Sequence, residues 1–170
     1  RQKAVAAVKG ALDAGLTPVV VVSAMGRSPA PYATDTLLDL LYSVHDRPDG
    51  RTLDLAASCG EIIAASVFAE QLLAEGLGAV ALTGWQCGIL TDGNHGSARI
   101  VEIDTQRLHN HLQAGKIPIV TGFQGVSSAG EVTTIGRGGS DTTAAALGAA
   151  LGASCVEVYT DVDGVKTADP

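Results

Sequence analysis

The sequence predicts an α/β fold with a mainly parallel sheet between helices, and three observations carry that expectation. Short, continuous apolar runs recur at 18–22, 79–83, 117–121 and 155–159, the form that strands take inside a parallel sheet. Segments with helical spacing of apolar residues alternate with them. Apolar residues make up 46%, charged residues 17% and aromatics only 4%, with 21 glycines, which suits close backbone packing and excludes a disordered or fibrous chain. A length of 170 residues is enough for one domain with a sizeable core.

The elements follow in order. Residues 1–14 place Ala4, Val5, Val8, Ala11 and Leu12 on a helical stripe, with Gly15 as C-cap. Strand 18–22 runs into Ser23-Ala24-Met25-Gly26. Ligands of open α/β sheets bind beyond the carboxyl ends of strands, so Ser23 is a candidate contact, with a plain turn serine as the equal alternative. After a loop at 27–33, Thr34 or Asp35 caps a short helix through Leu41. A polar connection at 46–51 leads to a long helix at 53–75, apolar nearly all round and therefore largely buried. Glu61 is its anomaly, with Ala57, Ser58, Ala64 and Ala65 as helix-face neighbours. A carboxylate there wants a cation, either a distant Lys or Arg or the ammonium of a ligand that Gly60 allows to approach.

Strand 79–83 precedes the loop Gly84-Trp85-Gln86-Cys87-Gly88, where Trp85 reads as a packing residue. Residues 99–103 form a further strand, and Asp104 or Thr105 caps a helix to Ala114, closed by Gly115. His109 and His111 lie on different faces of that helix and make no metal pair, while His45 and His95 stand alone in loops. Strand 117–121 closes with Gly122-Phe123-Gln124-Gly125, and 127–131 is a hairpin turn leading back along 132–135. A helix at 140–151, built of Ala, Gly and Leu, ends at Gly152, and 155–159 is the last strand.

The most informative stretch joins the hairpin to that helix: Gly136-Arg137-Gly138-Gly139-Ser140-Asp141-Thr142-Thr143. Its glycines let the backbone turn sharply and approach a ligand. Ser140 and Asp141 offer capping side chains, and a helix start beside Arg137 is a seat for an anion. The bland alternative is a glycine turn with Ser140 or Asp141 as N-cap. Neither G-x-G-x-x-G nor a G-x-x-x-x-G-K-[ST] loop is present. The formal charge of −7, with no basic run, argues against a nucleic-acid surface. No apolar run approaches the ~18 residues of a membrane span. Cys59, Cys87 and Cys155 are odd in number and lack a C-x-x-C pair, so a reducing cytoplasm is expected.

The glycine stretch closely resembles the G-R-G-G-S-D-[TY]-[ST]-A signature of aspartate kinases, members of the amino-acid kinase superfamily. Ser58-Cys59-Gly60-Glu61 is similar to the family's S-x-G-E, Thr83 to Gly88 to its T-G-x-Q-x-G, and Thr160 to Pro170 to its T-D-V-D-G-V-x-T-A-D-P. Ser23-Ala24-Met25-Gly26 followed by Pro31-Tyr32-Ala33-Thr34-Asp35-Thr36-Leu37-Leu38 looks like the diaminopimelate-sensitive bacterial type.

The resemblance implies a three-layer amino-acid kinase-like fold and ATP-dependent phosphorylation of the side-chain carboxylate of L-aspartate, the first step of lysine, threonine and methionine biosynthesis. It implies that Arg137 takes a substrate carboxylate, that Glu61 takes the ammonium, and that Ser23, Thr34 and Ser140 give hydroxyl contacts. Asp141 would sit near the transferring group and help organise Mg²⁺ and the phosphates. Gly138, Gly139, Thr160, Asp161 and Lys166 fall on the nucleotide side, although relatives often carry an aromatic residue or Met where Lys166 stands. ATP, Mg²⁺ and a homo-oligomeric parent enzyme complete the expectation.

Aspartate kinases open with a strand carrying K-F-G-G-T-S, and nothing in these residues corresponds to it. A later Lys-bearing segment and the regulatory ACT domains are not matched either. The expectation is a partial catalytic domain at 1–170, cut at both ends and essentially inactive alone, since losing a charge-stabilising group typically costs on the order of a hundredfold in rate. The alternatives are a sister kinase acting on glutamate, acetylglutamate, carbamate or UMP, and a non-catalytic ligand-binding module.

Overall fold

The computed structural model describes residues 2–160. In chain order the elements are α1 (Gln2–Asp13), β1 (Val20–Val22), α2 (Thr34–Tyr42), α3 (Gly50–Ala74), β2 (Ala79–Leu82), β3 (Ile89–Thr91), β4 (Ile100–Ile103), α4 (Gln106–Gln113), β5 (Ile117–Thr121), β6 (Gln124–Ser127), β7 (Val132–Thr134) and α5 (Gly139–Leu151). The strands form two sheets. A three-stranded sheet in the order β1-β5-β2 is parallel throughout. A second sheet in the order β4-β3-β6-β7 is mixed, with only β3 and β6 parallel.

Alternation along the parallel strands divides the core into two. Val20, Val22, Ala79, Ala81, Ile117 and Ile119 pack with Val5 and Val8 of α1 and with Ala65, Phe68, Ala69 and Leu72 of α3. Val21, Val80, Leu82 and Val120 face the other way, onto Leu108 of α4 and Leu147 of α5. Helices thus cover both faces of the parallel sheet, in three layers. The central strand, β5, is buried along its whole length. Pro118 is tolerated there because Ile117 N–H points to β2, donating to Gly78 O (2.8 Å), so alternation turns position 118 toward β1. The β1 ladder opens one residue later, at Val20 opposite Ile119.

Several local expectations change. The long helix starts at Gly50 rather than near residue 53, because Asp49 caps it by accepting from Thr52 N–H (3.2 Å). By length and composition this helix would pass as a membrane span. Its buried Asp54 and Glu61 and its packing on the sheet make it a core helix instead. Neither Thr34 nor Asp35 caps α2: Ala33 holds the N-cap position without a side-chain bond. Asp104 accepts from Gln106 N–H (3.0 Å) at the start of α4.

β3 and its place between β4 and β6 were not foreseen, since three residues are too few to show a period. β1 is half-buried, as an edge of its sheet. Residues 155–159 form no strand, and Val156 and Val158 are 46% and 55% exposed. A β-branched run supplies only a tendency; without a paired neighbour among the described residues there is no ladder. Trp85, read as a packing residue, is 38% exposed. Gly84 explains the turn beside it: a Cβ there would stand 2.1 Å from Gln124 O, so only glycine lets the β2–β3 turn lie on β6.

Leu72 is fully buried between α3 and the sheet. Leu72→Ala in the intact protein is expected to lower unfolding stability by about 2–5 kcal/mol. Leu40→Ala, at an exposed position of α2, should stay within about 0.5 kcal/mol of the parent. Urea titrations that gave equal losses would contradict this layering.

Candidate functional site

Three chain turns converge at one end of the parallel sheet. Residues 23–26 leave β1, 122–123 leave β5, and 136–141 leave β7 for α5. Between them lies a cleft of about 250 Å³ lined by Ser23, Ala24, Gly26, Thr34, Glu61, Phe123 and the stretch from Gly136 to Asp141. Its position outside the carboxyl ends of β1 and β5 is where open α/β sheets carry ligands.

The glycine stretch shapes one wall. Gly136 (φ +87°) and Gly138 (φ +74°) hold left-handed conformations, and Gly139 N–H donates to Gly136 O (2.9 Å). The helical ladder starts with Thr142 N–H to Gly138 O (3.1 Å), which leaves the amides of Ser140 and Asp141 without helical partners. Gly138 itself is the N-cap, with no side-chain bond, so the expectation of a Ser140 or Asp141 cap is not met. Ser140 instead accepts a hydrogen bond from Ser23 Oγ (2.6 Å), linking the walls of the cleft. Arg137 is exposed and makes no hydrogen bond or ion pair with any described residue. Its guanidinium stands at the positive end of α5 with donors to spare.

Glu61 also lines the cleft. It is 3% exposed, and Oε1 accepts from Ala24 N–H (3.0 Å). Oε2 is buried and has no partner among the described residues. Burial pushes the carboxyl up from its ordinary 4.5 to about 7, against the opposing pull of the Ala24 amide. Among the described residues no Lys or Arg pairs with it, so the salt-bridge alternative is not met there. Gly60 has a different use from the one expected. A Cβ there would meet Ala24 Cβ at 2.8 Å and Tyr32 O at 3.1 Å, so the glycine admits the protein's own backbone and not a ligand.

The structure thus brings Ser23, Thr34, Glu61, Arg137, Gly138, Gly139, Ser140 and Asp141 together in one cleft. Thr160 is described but does not line it, while Asp161 and Lys166 lie outside the described residues. Phe123 is a lining residue that the sequence reading passed over. It sits at φ +69°, rare for a bulky side chain and a common sign of a functional site. Thr143 Oγ1 accepts from its N–H (3.1 Å), and its carbonyl accepts from Ile135 N–H (2.8 Å). The signal available was a bulky residue between glycines directly after a buried strand. His95 is not alone in its loop: Nδ1 lies 2.7 Å from Oδ2 of buried Asp54. No cluster of three or more His, Cys, Asp or Glu suited to a metal occurs among the described residues.

This fold and cleft define an α/β protein whose candidate site, a buried acid and a helix start beside an arginine, has the chemistry to suit a small charged ligand. The chain matches the amino acid kinase family over residues 1–170 and belongs to that family. It is 51% identical over 170 residues to aspartokinase 1 of Bacillus subtilis, an alignment that covers 100% of this chain and 42% of that protein. Among solved structures it is similar to aspartate kinase from Synechocystis (42% identity, TM-score 0.79, 99% of this chain and 27% of that one). It is also similar to E. coli aspartokinase III in complex with aspartate and ADP (31% identity, TM-score 0.67, 76% and 30%). The chain therefore spans less than half the length of these relatives.

The Glu61 carboxyl gives a pH test. The folded protein holds this proton more tightly than the unfolded chain, so it binds more protons between about pH 4.5 and 7, and stability falls as pH rises through that window. Glu61→Gln is expected to match the parent near pH 4 and to be more stable near pH 8 without ligand, by at most on the order of 3 kcal/mol. A difference independent of pH in urea titrations would remove the burial argument.

Proposed function

We propose that the chain forms the acceptor site and part of the nucleotide site of an enzyme that transfers the γ-phosphoryl group of ATP to the side-chain carboxylate of L-aspartate, giving 4-phospho-L-aspartate and ADP. One observation carries this reading: Glu61, with a buried carboxylate oxygen, and Arg137, with its guanidinium, line the same cleft, and neither group is paired among the described residues. An amino acid presents the complementary pair, an ammonium and a carboxylate. The similarity to aspartokinases, one of them solved with aspartate and ADP, supports the choice of amino acid.

In this reading Glu61 takes the ammonium and Arg137 grips the α-carboxylate as a fork. A bound cation favours the ionised form of Glu61, so binding near neutral pH expels the proton that burial had retained. Ser23, Thr34 and Ser140 supply hydroxyl contacts. The side-chain carboxylate of aspartate is already ionised and attacks phosphorus directly, so no general base is needed. The α5 N-terminus, with the amides of Ser140 and Asp141 and the bare backbone of Gly138 and Gly139, suits the phosphates.

A Mg²⁺ arriving with ATP would supply charge neutralisation at the transferring group and would call for one or two protein carboxylates. Asp141, an exposed carboxylate at the cleft, is the donor that fits. Thr160, Asp161 and Lys166 are assigned to the nucleoside side. Residues 1–170 are read as part of the catalytic domain of a homo-oligomeric cytoplasmic enzyme.

In the intact enzyme, Glu61→Gln is expected to raise the KM for L-aspartate about tenfold or more and to move the KM for ATP by no more than about twofold. Equal changes in both, or none, would overturn the ammonium assignment. Asp141→Asn is expected to lower kcat by about a hundredfold with aspartate affinity largely kept. Both follow from ADP release together with trapping of the acyl phosphate by hydroxylamine, and unaltered kcat in Asp141→Asn would remove that residue from the reacting end of the cleft.

A further inference from the structure

α3 meets the glycine stretch at a second point, outside the cleft. Asp54, 2% exposed, lies seven residues before Glu61, so the two carboxylates share one helix face about 10 Å apart along the axis. Thr134 Oγ1 donates to Asp54 Oδ1 (2.5 Å), and Gly96 N–H reaches both carboxylate oxygens (3.0 and 3.1 Å). His95 Nδ1 lies 2.7 Å from Oδ2. Neither Asp54 nor His95 nor Thr134 lines the cleft.

Thr134 is the last residue of β7 and stands three positions before Arg137. Its carbonyl accepts from Ala98 N–H (2.9 Å), and a Cβ on Gly136 would lie 3.2 Å from Gly96 O, so the 94–98 turn backs the glycine stretch directly. That turn is itself held by Asp92 Oδ1, which accepts from Asn94 and Arg99 N–H (3.1 Å each). Stability alone does not require such a centre, since an apolar cluster of similar volume often serves as well as a buried charge. What a carboxylate with several directed donors adds is a fixed geometry. Three residues of chain span at most about 10 Å, so Thr134 anchors the backbone within that distance of Arg137.

We infer that Asp54, with His95 and Thr134, positions the Arg137 loop against Glu61, setting the separation of guanidinium and carboxylate without touching the ligand. The three are positioning residues, and their kinetic effect rests on the reading of the cleft as an amino-acid site. The centre joins the helix that carries the acid to the strand that delivers the guanidinium, so both walls of the cleft are registered from one point.

The test compares Thr134→Val and His95→Ala with the conservative Thr134→Ser and His95→Asn in the intact enzyme. Hydrogen exchange of the unliganded protein is expected to quicken at residues 135–141 in the first two variants, with β5 unchanged. The conservative variants should stay near the parent. Thr134→Val should raise the KM for L-aspartate roughly tenfold. In an Arg137→Ala background it should add no more than about twofold, because the two act through one group. Unchanged exchange at 135–141 in both Thr134→Val and His95→Ala, or KM effects of Thr134→Val and Arg137→Ala that multiply, would overturn the inference. If Arg137→Ala leaves the aspartate KM unaltered while exchange still quickens, the positioning role stands and the assignment of the guanidinium to the acceptor falls. Should Thr134→Val fail to fold, His95→Ala, at a partly exposed ring, carries the exchange and KM measurements alone.

Discussion

A carboxylate oxygen held out of water without a donor is an expensive arrangement, and the cleft is organised around one. Glu61 Oε2 is buried and has no partner among the described residues, while Oε1 accepts from the Ala24 amide. Desolvation of this kind disfavours the charged form until a cation arrives, which is why the carboxyl titrates near neutrality in the free protein. For Arg137, in the same cleft, the situation is reversed: it is exposed and has no partner among the described residues. A ligand carrying both charges satisfies both walls at once, and a ligand carrying one leaves the other unanswered.

α3 is the element through which this arrangement reaches the rest of the fold. One face of it presents Asp54, Ser58 and Glu61 at successive turns. Asp54 ties down the root of the glycine stretch, Ser58 O accepts from the buried Gln124 side chain (2.9 Å), and Glu61 faces the cleft. Another part of the same helix, through Ala65, Phe68, Ala69 and Leu72, packs on the parallel sheet. The dry core thus fixes the helix, and the helix fixes polar groups that packing alone would not locate. Gly60 belongs to this economy of space, since it lets the chain after β1 come close enough for Ala24 N–H to reach Glu61.

Much of this is legible in the sequence. The helices at 2–13, 50–74 and 139–151 and the parallel strands at 20–22, 79–82 and 117–121 follow from apolar spacing and from glycine stops, which are local signals. Glu61 stood out because an acid on an apolar helix face is locally inconsistent, and such inconsistencies gather at functional sites. What stayed hidden is non-local. β3 has too few residues to show a period, and its partners β4 and β6 come from later in the chain. Residues 155–159 have the composition of a strand and no ladder.

By itself the sequence determined the helices and the strands of the parallel sheet, that a glycine-rich turn meets a helix start next to Arg137, and that Glu61 wants a cation. Those are consequences of backbone preference, periodicity and desolvation, all readable within a few residues. Only the tertiary structure decided that Glu61 and Arg137, 76 positions apart in the chain, open onto one cleft, and that Asp54 joins His95 to Thr134. Contacts between such distant positions depend on strand order and on the packing of α3, and no local pattern encodes either.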